Sequence, residues 1–220
     1  MAPGIGDIRN FPHRIHTSSR ATRPFALALM VPAVVLSCTT NPAPQATPQG
    51  IHVLSARKLY PIALERAQEE LGDVALLWAH VYVAPIQRGA FAFLSVANPG
   101  ESVLVGIGPG LDGPDITTDR SSISGYLGTI QPEDWESIDS GEAFRIAYEA
   151  QGRAMVEKYG RTGIWSVILD FVDARDGLKL AWRVDFDLPN RSYLDLGVDP
   201  QTGEILFSQI VGDPDSTLPR

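Results

Sequence analysis

Hydrophobic and polar residues alternate most regularly between Leu178 and Phe207. Leu180, Trp182, Val184 and Phe186 are interleaved with Lys179, Ala181, Arg183, Asp185 and Asp187, the two-residue period of a strand with one buried and one wet face. Leu194, Leu196 and Val198 carry the alternation into a second strand, and Ile205 to Phe207 open a third. Between these two lies Asp199-Pro200-Gln201-Thr202-Gly203, which reads as a turn. Asp199 opens it, Pro200 presets φ and Gly203 accepts a positive φ. The stretch is predicted to be an antiparallel meander with one apolar face.

Helical spacing appears twice upstream. From Ser55 to Leu71, the residues Leu59, Ile62, Ala63, Ala67 and Leu71 share one side, and Gly72 supplies a C-terminal stop. Asp139 with Glu142 three residues on predicts a capping box before Ala143, Phe144, Ala147, Ala150, Ala154 and Met155, and Gly160 closes that helix. Each closing glycine is followed by an apolar run carrying a tryptophan, Val74–Val83 with Trp78 and Ile164–Val172 with Trp165. Two further strand-like runs follow in each half: Ala90–Ala97 and Ser102–Ile107 in the first, Lys179–Asp187 and Ser192–Val198 in the second. The expected fold class is therefore α+β, two tandem units of one helix on an antiparallel meander, over residues 51–137 and 138–212. One such unit leaves a sheet face bare, so the two are expected to bury each other. Residues 111–137, rich in Gly, Ser, Thr, Asp and Pro, read as a long connection in which Trp135 docks on the core; whether a strand lies within it stays open. Residues 213–220 read as a disordered tail.

Composition adds an address. Arg9, Arg14, Arg20 and Arg23 stand against the single acid Asp7, and Pro24 to Ser37 is uncharged and mostly apolar. A basic region before an apolar run of that length is a secretory signal, residues 1–37, and is too short to span a bilayer. The run ends at Val35-Leu36-Ser37-Cys38, and Cys38 is the only cysteine. Residues 39–50 hold three prolines and no charge, so residues 38–50 form an extended tether reaching roughly 35 Å. Removing the leader takes the formal charge from −8 to −11, because four arginines and one aspartate leave with it. That balance argues against nucleic acid and against electrostatic adhesion to an anionic bilayer.

Val35–Cys38 resembles the lipobox of bacterial lipoproteins, which implies lipidation of Cys38 and attachment to a membrane of the cell envelope, facing the periplasm or exterior. A second resemblance lies in Ile138-Asp-Ser-Gly-Glu-Ala-Phe-Arg-Ile-Ala147, Ala181-Trp-Arg-Val-Asp-Phe186 and Val198-Asp-Pro-Gln-Thr-Gly-Glu-Ile-Leu206. Together these are similar to a PepSY domain. In the first unit only Gly113, Asp115 and Ile116 keep the closing pattern. The resemblance implies a non-catalytic module in an exported protein, with an extracytoplasmic peptidase or envelope enzyme as the partner class.

Candidate chemistry is sparse. His13 and His16 leave with the signal, His52 sits at the tether junction, and His80 lies in an apolar strand, where a neighbouring carbonyl is its ordinary partner. No His-x-x-x-His or cysteine pair is present, so no zinc site is expected. Ser124 and Ser166 do not sit in a Gly-x-Ser-x-Gly elbow. Gly106-Ile-Gly108-Pro-Gly110 suggests a phosphate loop, but Pro109 lacks the N–H such a cradle uses. Asp170, Asp173, Asp176, Asp185, Asp187, Asp195 and Asp199 do not have the spacing of a calcium loop and read as a solvated acidic face. The aromatics Trp78, Tyr82, Trp165, Trp182 and Tyr193 read mainly as core.

The expectation is a non-catalytic lipoprotein with no cofactor and no metal, binding another protein. A binding face would use Trp78, His80, Tyr82, Asp185 and Asp187. The alternative is a carrier of a small apolar ligand with its pocket between helix and sheet. The runs AFAFLSVA and SVLVGI are apolar on both faces and call for cover on both sides.

Overall fold

The computed structural model describes residues 51–83, 86–110, 114–120, 127–174 and 177–215, within a compact unit spanning residues 45–220. The signal, the lipobox with Cys38, the whole tether, Gly113, Ser124, Asp176 and residues 216–220 of the predicted tail lie outside the described residues.

Each half of the chain runs helix first, then four strands. Helix α1 (Ala56–Leu71) precedes β1 (Val74–Tyr82), β2 (Gly89–Ser95), β3 (Ser102–Pro109) and β4 (Pro114–Asp119). The second half opens with α2 (Ser140–Ala147), passes through a π-turn at Tyr148–Gly152 into α3 (Arg153–Tyr159), and continues into β5 (Ser166–Ala174), β6 (Gly177–Asp187), β7 (Tyr193–Val198) and β8 (Ile205–Val211). Strand β4 therefore completes the first half from within residues 111–137, and a 3-10 turn at Pro132–Trp135 buries Trp135 as expected.

All eight strands belong to one antiparallel sheet in the order β4-β3-β2-β1-β5-β6-β7-β8. The expectation that the halves bury each other's bare faces is not met. They join edge to edge through β1 and β5, from Ala79 opposite Leu169 to Tyr82 opposite Ser166. Edge pairing gives the N–H and C=O groups of two exposed strand edges partners. It also sets both helices on the same side, where they share one core.

That core is aromatic. Phe91, Phe93, Val103 and Val105 from the first half and Trp165, Val167, Leu169, Trp182, Val184, Phe186, Leu194 and Leu196 from the second are almost completely buried. On α1, Ala56, Ala63 and Ala67 face them, so small side chains let the helix approach closely while Tyr60 meets Trp135 edge-on at 5.5 Å. Gly152 sits in the π-turn because a Cβ there would lie 2.7 Å from the Phe186 ring.

The helices meet at their N-termini. Ser140 Oγ donates to the carbonyl of Leu54 (2.6 Å) and accepts from the N–H of Ala56 (2.9 Å), and Asp139 Oδ1 accepts from the N–H of Arg57. The predicted capping box does not form: Asp139 accepts from the N–H of Ser140, and Glu142 pairs with Arg145 instead. The Arg145 guanidinium, three residues on, offers Glu142 a charged donor, which outcompetes a neutral backbone N–H.

The turn after β7 forms as expected. Asp199 Oδ1 accepts from the N–H groups of Gln201 and Thr202, and Gly203 takes φ +75°. It also holds the approach to α2, since the N–H of Ile138 donates to the Pro200 carbonyl. Of the tail expected to be disordered, residues 213–215 are described and are tied down: Asp215 reaches Lys158 and Tyr159 of α3, and the Pro214 carbonyl accepts from Asn190. Among the described residues no helix is long and apolar enough to cross a membrane.

Candidate functional site

The strand period divides the sheet into a face under the helices and an opposite face. On the opposite face, Leu77, Ala92 and Leu94 form a separate small apolar cluster with Trp78 and Leu104 against it. No described helix packs there. The second half does not lie over the far side of β2 and β3, where Leu77, Ala92 and Leu94 are buried while Trp78 and Leu104 stay half-buried.

The same face carries every residue expected to form a binding surface. Trp78, His80 and Tyr82 alternate along β1, and Asp185 and Asp187 lie on β6 with β5 between. Register places Tyr82, Ser166, Asp185, Asp195 and Gln209 in one row across β1, β5, β6, β7 and β8. His80, Ile168, Arg183, Gly197 and Phe207 form the adjacent row. Gly197 has a packing reason: a Cβ there would lie 2.2 Å from the Phe207 ring, so only glycine lets that ring lie across the sheet.

Asp185 and Asp195 are directly opposite each other on neighbouring strands, close enough for their carboxyls to interact. Asp195 is only 2% exposed. Its Oδ2 accepts from Arg183 Nη2 (3.1 Å) and Gln209 Nε2 (3.1 Å), while Asp185 faces Arg183 at 4.0 Å and receives a long bond from Ser166 Oγ (3.5 Å). Asp185 Oδ1, the atom facing Arg183, and Asp195 Oδ1 are both buried with no hydrogen bond from another side chain or backbone N–H among the described residues, and the two carboxyls bond to each other when Asp185 holds its proton. Burial first, and the neighbouring Asp195 charge second, push the Asp185 carboxyl up to about 6, with Arg183 opposing. The reading of these acids as a solvated face is corrected for two of them: Asp195 is buried under its bonds to Arg183 and Gln209, and Asp185 opposite it is half-buried. Asp187 serves a different end, accepting from the N–H of Ile164 and so fixing the entry to β5.

His80 stacks on Tyr82 with ring centroids 4.2 Å apart. Its Nε2 has no partner among the described residues, and burial lowers its pKa to about 4, so the ring is neutral at physiological pH. No neighbouring carbonyl takes up that nitrogen.

A cavity of about 390 Å³ opens beside the carboxylate pair, lined by Arg183, Asp195, Phe207 and Gln209 with Phe171 and Val172. A second, of about 330 Å³, lies at the start of α1 between Leu54, Leu59, Ile107 and Pro109. Among the described residues no three His, Cys, Asp or Glu side chains converge to hold a metal ion.

Sequence reasoning missed Arg183, Asp195, Gln209 and Ser166 as a group. The signal was available in the β6–β7 connection, whose length sets Asp187 against Tyr193 and therefore Asp185 against Asp195.

No family model and no curated protein matches the chain. Among solved structures, the chain is similar to one from Clostridium difficile 630 provisionally described as a lipoprotein. The two are 14% identical with a TM-score of 0.45, over 69% of this chain and 92% of that one.

Proposed function

We propose that the protein is a lipid-anchored lipoprotein of the bacterial envelope, without catalysis of its own, whose bare sheet face binds another protein. The reading of its attachment rests on the leader, the Val35–Cys38 lipobox and the uncharged tether. A PepSY-like character is supported by the helix-then-meander order and by the Asp199–Gly203 turn that holds the approach to α2. That likeness makes an extracytoplasmic peptidase or envelope enzyme the partner class.

One observation carries the binding role. The face opposite the helices bears half-buried Trp78, His80, Tyr82 and Leu104 with no described helix over them. A partner's apolar surface would cover Trp78 and Leu104.

The test is recovery of membrane proteins on the chain from Cys38 onward, wild type against His80→Asp and Arg183→Glu. A partner retained by the wild type and reduced at least tenfold by either variant supports the reading. Absence of any retained protein, or retention indifferent to both variants, refutes it. The apolar-ligand reading has one favourable observation, the cavity by Leu59 and Ile107. An apolar molecule co-purifying with wild type and lost with Ile107→Glu would select it.

A further inference from the structure

The two outer strands of the sheet are built differently. Strand β4 begins with Pro114, carries Asp115 and Asp119, and is fastened just past its end where Arg120 pairs with Glu70 at 2.9 Å. Proline and charge on an outer strand are the usual means of preventing further pairing. Strand β8 reads Ile-Leu-Phe-Ser-Gln-Ile-Val, with no proline and no charge over seven residues. Among the described residues its one neighbour in the sheet is β7, and its last two residues are among the exposed large hydrophobics, Ile210 at 46% and Val211 at 36%.

We infer that β8 pairs with β8 of a second copy, antiparallel and about a two-fold axis near Ser208, extending the sheet from eight strands to sixteen. Charge favours this occupant. A chain of net charge −8 repels copies of itself wherever acids meet. Along β8 no acid meets another, because an axis at Ser208 sets flanking Glu204 opposite Gly212 and Asp213 opposite Gly203. The same axis sets Phe207 beside Gln209 and Leu206 beside Ile210 of the other copy, which covers the exposed isoleucine. A two-fold contact of this kind is closed, so pairing stops at the dimer, and the proline and acids of β4 block growth from the far edge.

Seven paired residues span about 24 Å, which puts the contact at the small end of specific interfaces, about 1,000 Å². A contact of that size belongs with weak, reversible association. The inference does not depend on the binding role proposed above, since β8 is an edge and that role uses a face.

The experiment uses the full chain with Cys38→Ser, and reads sedimentation equilibrium from about 1 μM to 1 mM. Reversible dimerisation is expected, and Ser208→Lys, which sets two cations opposite each other, is expected to weaken it at least tenfold. Ser208 is exposed and bonds only to the exposed Gln151, so this substitution spares the core. Single cysteines at Phe207, Ser208, Gln209 and Ile210 then locate the axis. One of them is expected to form an intermolecular disulfide under mild oxidation faster than Thr117→Cys on β4, since residues facing across an antiparallel pair have disulfide-compatible spacing. A monomer up to 1 mM, a dimer indifferent to Ser208→Lys, or β8 cysteines no faster than Thr117→Cys overturns the inference. The first of these outcomes leaves β8 to a strand from a different protein.

Discussion

Replacing Asp185 by Asn keeps the side chain's size and removes its ionisation. In the native protein burial and the Asp195 charge raise the Asp185 pKa from 3.8 to about 6. A carboxyl whose folded pKa is raised lends the fold stability that is fully present below the unfolded value, about 3.8, and is lost as pH rises through about 6. The full loss amounts to about 3 kcal/mol, at 1.36 kcal/mol per pKa unit. The unfolded chain begins to release its proton near pH 4, so about 1 kcal/mol is gone by pH 4.5 and about 2 kcal/mol remains to be lost between pH 4.5 and pH 8. Other carboxylates titrate over the same range, and Glu142, held low by Arg145, acts in the opposite direction. The informative quantity is therefore the difference between two proteins. Urea unfolding of wild type and Asp185→Asn at pH 4.5 and pH 8 is expected to show the variant gaining about 2 kcal/mol on the wild type across that interval. Parallel pH dependences would refute the account, because they would mean that Asp185 is ionised in the fold as readily as outside it.

Three further outcomes are expected. The His80 ring should titrate near 4 when followed by NMR, and because its folded pKa lies below the ordinary 6.5, its contribution to stability is present at neutral pH and lost as pH falls toward 4. Ser140→Ala strands the Leu54 carbonyl and the Ala56 N–H together, and should cost about 1–3 kcal/mol in chemical denaturation with both helices retained by circular dichroism. Gly152→Ala presses a methyl group onto the Phe186 ring and should cost about 1–3 kcal/mol, whereas Gly141→Ala, where a Cβ meets nothing within 4 Å, should be nearly neutral or favourable by the same measurement.

Much of the architecture was legible because periodicity is local. The helix ends at Gly72 and Gly160, the alternation of Leu180 to Phe186 and the Asp199–Gly203 turn follow from residues close together in sequence, and each element forms where its pattern indicates. Strand β4 was harder to read. Pro114-Asp-Ile-Thr-Thr-Asp119 looks like loop, and it becomes a strand because β3 offers it an edge. How the halves assemble was not legible either. A two-sided apolar pattern in Ala90–Ser95 states that both faces want cover, but not that the second half goes beside the first instead of over it. For the candidate site, alternation alone put Trp78, His80 and Tyr82 on one face, and Asp185 with Asp187 on another strand's wet face. The missing step was register. Without pairing Asp187 against Tyr193, the acids look like scattered solubilising charges, and the burial of Asp195 under Arg183 and Gln209 stays out of sight.

The way the sheet is threaded also bears on how fast it assembles. Six of its seven strand pairings join neighbours along the chain and can zip outward from short hairpins. The seventh, β1 with β5, joins residues such as Ala79 and Leu169 that are ninety positions apart. Closing so wide a ring of chain is entropically expensive and rewards nothing until both meanders exist. Loop closure thus makes the meeting of two finished hairpin stacks at a four-residue seam, clasped by Ser140 at the helix starts, the expected slow event in refolding, and a chain emerging during synthesis can complete its first stack well before the second.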